Sequence, residues 1–338
     1  MDKPAPVYIL GSGLAGPIAE DPRSIPEMVL DAVEAALSDA GLDWSGVDAV
    51  VTASADLIDG LTASNIAVTE VVGAVMRPET RVAADGLAAA CHATLQVRAG
   101  TYETVLAVAH AKASMSNFWD LSTWAVDPIM LQPLGIDFRV VAGLQAARLA
   151  AGEPDAVRRW AELVASRRLA SRGWAGESTA DAILESPPFA TPLTTGMVAP
   201  LGDAAAAVVL SRELGSHLIA GIGFDLSTHP AIGEPMWDGL RRASERAFDD
   251  AGLGVADVTD AEPSCIFPFE EALFARATGI GPDCEVSKTG GLFGGTAPIA
   301  AGLSRLIEAT DPSHGITLAH GTWGPGGQGQ AVILSRPA

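Results

Sequence analysis

The side chains best suited to nucleophilic or acid–base chemistry near neutral pH are three cysteines and six histidines. Cys91, Cys265 and Cys284 are scattered, with no C-x-x-C pair, which excludes a disulfide framework and a structural zinc site. Cys91-His92 could supply a nucleophile, although free cysteine in a helix also reads as a buried small hydrophobe. His110 and His320 each close an Ala-His strand, where an imidazole could move protons. His217, His229 and His314 lie near element ends with no partner visible and read as surface positions. Gly11-Ser-Gly13-Leu-Ala-Gly16 matches G-x-G-x-x-G after a strand. A dinucleotide site needs a helix opening at the third glycine, and Pro17, Pro22 and Pro26 delay it to about Ser24 or Ile25. Lys288-Thr289 lacks the upstream glycine of a phosphate loop.

The composition narrows the setting. The chain has 338 residues, 41 acidic against 21 basic, for a net charge of −20. Such a field repels polyanions, so a nucleic-acid partner is excluded. Hydrophobic residues make up 48% of the chain, too many for disorder. The N-terminus lacks the basic and apolar regions of a signal peptide. The longest stretch free of charged side chains, Pro312–Ser335, is too rich in glycine for a membrane span. A soluble, cytoplasmic protein is expected.

The elements that must position these residues are written twice. Val7-Tyr-Ile-Leu-Gly-Ser-Gly13 reads as a strand running into a glycine turn. An amphipathic helix with Ile25, Met28, Val29, Ala32, Val33, Ala36 and Leu37 on one face follows and ends at Gly41. His217-Leu-Ile-Ala-Gly-Ile-Gly223 and a helix through Leu240, Ala243, Ala247 and Phe248, ending at Gly252, repeat the order. Gly11 to Gly41 spans 30 residues and Gly221 to Gly252 spans 31. Thr104–His110 resembles Ile316–His320, and Ala207–Ser211 resembles Ala331–Ser335. The copies are offset by 210 residues at Ala-His and by 124 at the last strand, which leaves an insertion of 86 residues in the first copy. Insertions of that length in compact domains are usually functional.

A duplicated β-α-β-α-β-β unit with a long insertion in the first copy resembles the thiolase superfamily. Ala40-Gly-Leu-Asp-Trp-Ser-Gly-Val-Asp48, Asp203-Ala-Ala-Ala-Ala-Val-Val-Leu210, Ser287-Lys-Thr-Gly-Gly-Leu292 and Gly324-Pro-Gly-Gly-Gln-Gly329 are similar to that family's motifs, in its order. The closest resemblance is to sterol-carrier-protein-x-type thiolases, including Asp127-Pro128 and Lys112. The resemblance implies an α/β, five-layer αβαβα sandwich of two similar halves. These are 1–215, with a helical and loop insertion at about 112–200, and 216–338. It further implies dimerisation through the first half, for which the apolar Val82–Ala99 region suits an interface helix.

The family's chemistry-bearing positions are changed here. Its acyl-accepting cysteine aligns with Ala83, its Gly-His-Pro histidine with Ala297, and its second catalytic cysteine with Trp323. What remains as implied site is His320 or Cys265 as proton carrier, with oxyanion or pocket residues Ser287, Gly290, Gly291, Gly326 and Gly327. Cys91 lies eight residues past Ala83, about 12 Å along a helix. His110 and Lys112 are assigned to structure or to the dimer interface. Arg167, Arg168 and Arg172 are either a basic mouth for coenzyme A or a solvated helix face. The resemblance leaves three functions open. One is a thiolase-like acyltransferase or carbon–carbon lyase on acyl-CoA thioesters, with coenzyme A as substrate and no tightly bound cofactor. The others are a non-catalytic subunit paired with a thiolase-like chain as homo- or heterodimer, and a CoA or acyl-binding scaffold for a zinc-ribbon/OB-fold protein.

Overall fold

The computed structural model describes residues 5–171, 178–227 and 236–338; Arg172 and His229 lie outside them. The first half runs β1 (Tyr8–Ile18), α1 (Ile25–Ala40), β2 (Ala49–Ala53), β3 (Glu79–Val82), α2 (Gly86–Arg98) and β4 (Thr104–Lys112). An insertion then carries α3 (Phe118–Leu121), α4 (Phe138–Ala150), α5 (Ala156–Ala170), α6 (Ala180–Glu185) and a small hairpin, β5 (Pro188–Ala190) with β6 (Leu193–Thr194). The half closes with β7 (Asp203–Ser211). The second half runs β8 (His217–Leu226), α7 (Asp238–Ala251), β9 (Asp260–Glu262), α8 (Phe269–Thr278), β10 (Glu285–Val286), α9 (Ala301–Glu308), β11 (Thr317–Trp323) and β12 (Gly329–Pro337).

The strand order is β10-β9-β11-β12-β8-β1-β7-β4-β2-β3, so each half contributes five strands in the same internal order. The halves meet where Tyr8 and Ile9 of β1 pair with Leu218 and His217 of β8. Alternation along the strands builds the layers. Val50, Leu106, Val108, Ala205, Ala207 and Val209 face α1 on one side of the first half. Val51, Ala53, Val105, Ala107, Ala206 and Val208 face the other way, onto α2 and onto Leu303 and Leu306 of α9. The α2 and α9 pair thus fills the middle of a five-layer α/β/α/β/α sandwich, with α1 and α7 outside. The apolar face of α2 packs within the chain, against strands of both halves.

Glycine pairs bring the outer helices onto the strands. A Cβ on Gly11 or Gly13 would stand 2.4 or 2.1 Å from the carbonyl oxygens of Ala36 and Ala32 in α1. On Gly221 or Gly223 it would stand 2.1 or 1.9 Å from those of Ala247 and Ala243 in α7. No glycine turn follows Gly13, because β1 continues to Ile18 and pairs with β7 almost throughout. Both outer helices end on left-handed glycines, Gly41 and Gly252.

Strand register also corrects the alignment of the copies. Thr104 pairs with Ser211, and Thr317 pairs with Ser335. Matched by sheet face, Val105 and Leu210 correspond to Thr317 and Ser335, so the offset is 317 less 105, or 212, on one strand, and 335 less 210, or 125, on the other, a difference of 87 residues. His110 opposite Ala205 therefore corresponds to Thr322 opposite Gln330, and the counterpart of His320 is Val108.

Candidate active site

A cavity of about 550 Å³ opens where both halves and the insertion meet. The first half supplies Ser54–Ile58, Arg81, Ala83 and Ala84. The insertion supplies Phe118, Trp124, Phe138 and Gln145. The second half supplies Ser264, Ile266, Glu270, Pro298 and the run from Thr322 to Gln328. Of the residues implied by resemblance, Ala83, Trp323, Gly326 and Gly327 come together on this wall. Ala297 and Gly291 line a separate, more polar cavity of about 320 Å³ on the other side of the turn that opens α9. Ser287 and Gly290 line neither cavity. Ser287 is buried with φ 48°, and a Cβ on Gly290 would meet the Arg167 carbonyl oxygen at 2.3 Å, so this motif is a tight turn against α5.

His320 does not face the cavity. It is fully buried between the rings of Trp237 and Phe274, at centroid distances of 5.6 and 5.5 Å. The Ser264 N–H donates to its Nδ1 at 3.3 Å, and its Nε2 lies 2.6 Å from Oε1 of Gln330. Burial holds the imidazole down at about 4, so it stays neutral and makes no general base. Strand geometry gives the reason. Residues 320 and 323 are an odd number apart, so when Trp323 faces the cavity His320 faces away. Cys265 fails likewise: its neighbours Ser264 and Ile266 line the cavity, whereas its own thiol is buried and raised well above the ordinary range. Cys91 is buried within α2, and burial pushes its thiol up to about 12. None of the three is suited to proton transfer or attack on a thioester.

The N-terminus of α2, where the family's nucleophile would sit, is already occupied. Asp85 caps α2 through the Leu87 N–H at 2.8 Å and accepts the Gly302 N–H of α9 at 2.9 Å. One carboxylate thus satisfies the first turns of both central helices. A Cβ on Gly302 or Gly321 would lie 1.9 or 2.2 Å from its Oδ1, so both positions need glycine. Burial pushes Asp85 up to about 7, against the pull of its backbone N–H partners.

Sequence reasoning missed Glu270, a carboxyl on the cavity wall. It sits in the first turn of α8, and its Oε2 accepts the Ile266 and Phe267 N–H groups at 2.8 and 3.1 Å. Burial raises it to about 8, although those two bonds oppose the rise. The available signal was position. An acid just beyond the loop read as Ser264–Phe267, at a helix start, is the ordinary sign of a capping carboxylate, and only the cavity distinguishes it.

The expected basic mouth is not formed by the described arginines. Arg167 binds Glu271 through two nitrogens, at 2.9 and 2.7 Å, and Arg168 is buried with an N–H on the Val198 carbonyl. Both tie the insertion down, as does the aromatic contact of Trp160 with Phe269. Arg81 lines the cavity, paired to Asp56. His110 and Lys112 are interior: His110 lies 3.3 Å from Asp59, and the Lys112 ammonium lies 3.1 Å from Asp203. Among the described residues, no cluster of His, Cys, Asp and Glu could hold a metal, and no helix is long and apolar enough to cross a membrane.

No family model and no curated protein matches this chain. Solved structures do. One is the Ltp2-ChsH2(DUF35) aldolase, with TM-score 0.79 and 18% identity over 98% of each chain. Another is a monomeric SCP2-thiolase-like protein type 1 (STLP1) from Mycobacterium smegmatis, with TM-score 0.74 and 21% identity, covering 100% of this chain and 79% of that one. The chain has the thiolase-like fold of these structures.

Proposed function

We propose that this protein is a carbon–carbon lyase of the retro-aldol type, acting on acyl thioesters of coenzyme A in company with a partner chain. The observation that carries this reading is a cavity wall with Ala83 and Trp323 where thiols would stand, and a buried carboxyl, Glu270, with a raised pKa. Thiolysis needs a residue to carry the acyl group; retro-aldol cleavage does not. Ionised Glu270 takes the proton of a 3-hydroxyl, the Cα–Cβ bond breaks, and a carbonyl product leaves. The electron pair passes to the thioester as an enolate, which recovers a proton at Cα from the Glu270 carboxylic acid. Backbone amides of the Gly324–Gly327 loop are the groups assigned to the enolate oxygen. Phe118, Trp124 and Phe138 favour an apolar acyl group.

A second reading, a non-catalytic subunit or a CoA or acyl-binding scaffold for a zinc-ribbon/OB-fold protein, draws support from Asp85, which fills the helix terminus that an acyl-accepting thiolate would use. Exposed Trp124, Ile129, Met130 and Leu134 on the insertion suit an apolar partner in either reading. The two separate in one assay. Purified protein, alone and co-expressed with its genomic neighbours, is given a panel of 3-hydroxyacyl-CoAs, and the release of a shorter acyl-CoA and a carbonyl product is followed. Turnover that rises with pH through about 8 and falls about 100-fold in Glu270→Gln is expected. Tight CoA binding without cleavage in every assembly would leave the scaffold.

A further inference from the structure

We infer that His320 and Gln330 are a positioning pair that couples the Ser264 loop to the glycine loop of the cavity wall and holds the glycine loop in its working orientation. The inference rests on the lyase reading for its kinetic consequence, but not for its geometry.

The chain of bonds has one direction. The Ser264 N–H donates to Nδ1 of His320. A ring nitrogen that accepts carries no proton in the neutral imidazole, so the proton sits on Nε2. Nε2–H then donates to Oε1 of Gln330, and this fixes which end of that amide is oxygen. The other end, Nε2 of Gln330, donates to the Gly327 carbonyl at 2.7 Å. Ser264, His320, Gln330 and Gly327 thus form a relay in which each donor faces an acceptor, and reversing any member sets two donors or two acceptors face to face. Bonds in such a row polarise one another when water is excluded.

Both ends of the relay are cavity wall. Ser264 leads into Ile266, whose N–H binds Glu270. Gly327 belongs to the loop that also receives Gln145 from the insertion, whose Nε2 donates to the Gly326 carbonyl at 3.2 Å. Two successive carbonyls of the loop are therefore held by glutamine amides. A trans peptide carries its N–H opposite its C=O, so fixing these carbonyls also fixes the direction of the following N–H groups. Gly327 itself must be glycine, because a Cβ there would stand 2.5 Å from Nε2 of Gln330.

His320→Phe keeps the buried ring and removes both bonds. His320→Gln retains a donor at the distance of Nε2 and should restore the link to Gln330. With 3-hydroxyacyl-CoA substrates, His320→Phe should lower kcat about 100-fold with KM moved less than about threefold, the size of effect a misplaced catalytic group produces. His320→Gln should recover kcat to within about tenfold of the parent. A folded His320→Phe protein with parental kcat, or His320→Gln no better than His320→Phe, would overturn the proposal. A second measurement is independent of turnover. With 15N-labelled histidine, the protein should show one buried imidazole in the Nε2–H form from pH 5 to 8, lost in His320→Phe and converted in Gln330→Met. An Nδ1–H or charged ring there defeats the relay even if the lyase assay succeeds. The predicted ring signature without any cleavage defeats the lyase reading alone.

Discussion

The ends of β4 and β11 are the same place in the two halves, and they have been put to opposite uses. At the end of β4, His110 meets Asp59, and Lys112 meets Asp203, which also accepts the Ser114 N–H and hydroxyl and the Asp21 N–H. Every polar group shown there turns inward. At the end of β11, the counterpart of His110 is Thr322, beside Trp323 and a loop of left-handed glycines, and the space around it is the cavity. Duplication supplied two equivalent strand ends; one is sealed around the Lys112–Asp203 pair and the other left open. The difference teaches that a histidine closing a strand marks a site only when the neighbouring elements leave it room.

Four substitutions test that contrast. The largest effect is expected at the sealed end. Asp203→Ala leaves the Lys112 ammonium buried without its carboxylate and should cost about 3–5 kcal/mol in urea unfolding; a loss under 1 kcal/mol would mean that the pair is not structural. Next is Asp85→Asn. An acid raised from 3.8 to about 7 contributes most to stability below its unfolded pKa and loses that contribution as pH rises through about 7. The stability difference between parent and variant should therefore shift by on the order of 3 kcal/mol from pH 4 to pH 7, against the parent as pH rises. A pH-independent difference would place the Asp85 proton elsewhere. The smallest effect is the contrast between one residue from each strand end. His110→Ala should cost about 1–3 kcal/mol of stability, because the Asp59 carboxylate is left behind, without altering ligand affinity. Trp323→Ala should do the reverse, changing affinity for acyl-CoA about tenfold while unfolding stays within 1 kcal/mol. Equal behaviour of the two would erase the distinction.

Much of the fold was legible because it rests on backbone requirements that particular residues announce. The glycine pairs at Gly11 and Gly13 and at Gly221 and Gly223, with the capping glycines Gly41 and Gly252, fixed two strand–helix units before any pairing was known. The copy offsets were off by two residues at Ala-His and by one at the last strand, because Ala-His matched by letters whereas the strands match by sheet face and hydrogen-bond register. The sequence could not tell what covers α2, because an apolar helix looks the same whether its cover is another protomer or the other half of its own chain. At the site, Ala83, Trp323, Gly326 and Gly327 were placed by motif order. His320 and Cys265 were misassigned because neighbours on an extended chain face opposite sides. Glu270 was overlooked because an acid at a helix start has an ordinary use, and its exposure to a cavity is a property of three distant segments at once.

The shared cap at Asp85 has a consequence for how the molecule comes apart. The residues it joins, Asp85 and Gly302, are 217 positions apart, and the helices they begin belong to different halves. Neither half can keep its central helix properly terminated without the other. A chain opened between Ser211 and His217 would then yield two fragments that fold only as a complementing pair, and the duplicated units, though each carries its own sheet, would melt in a single transition.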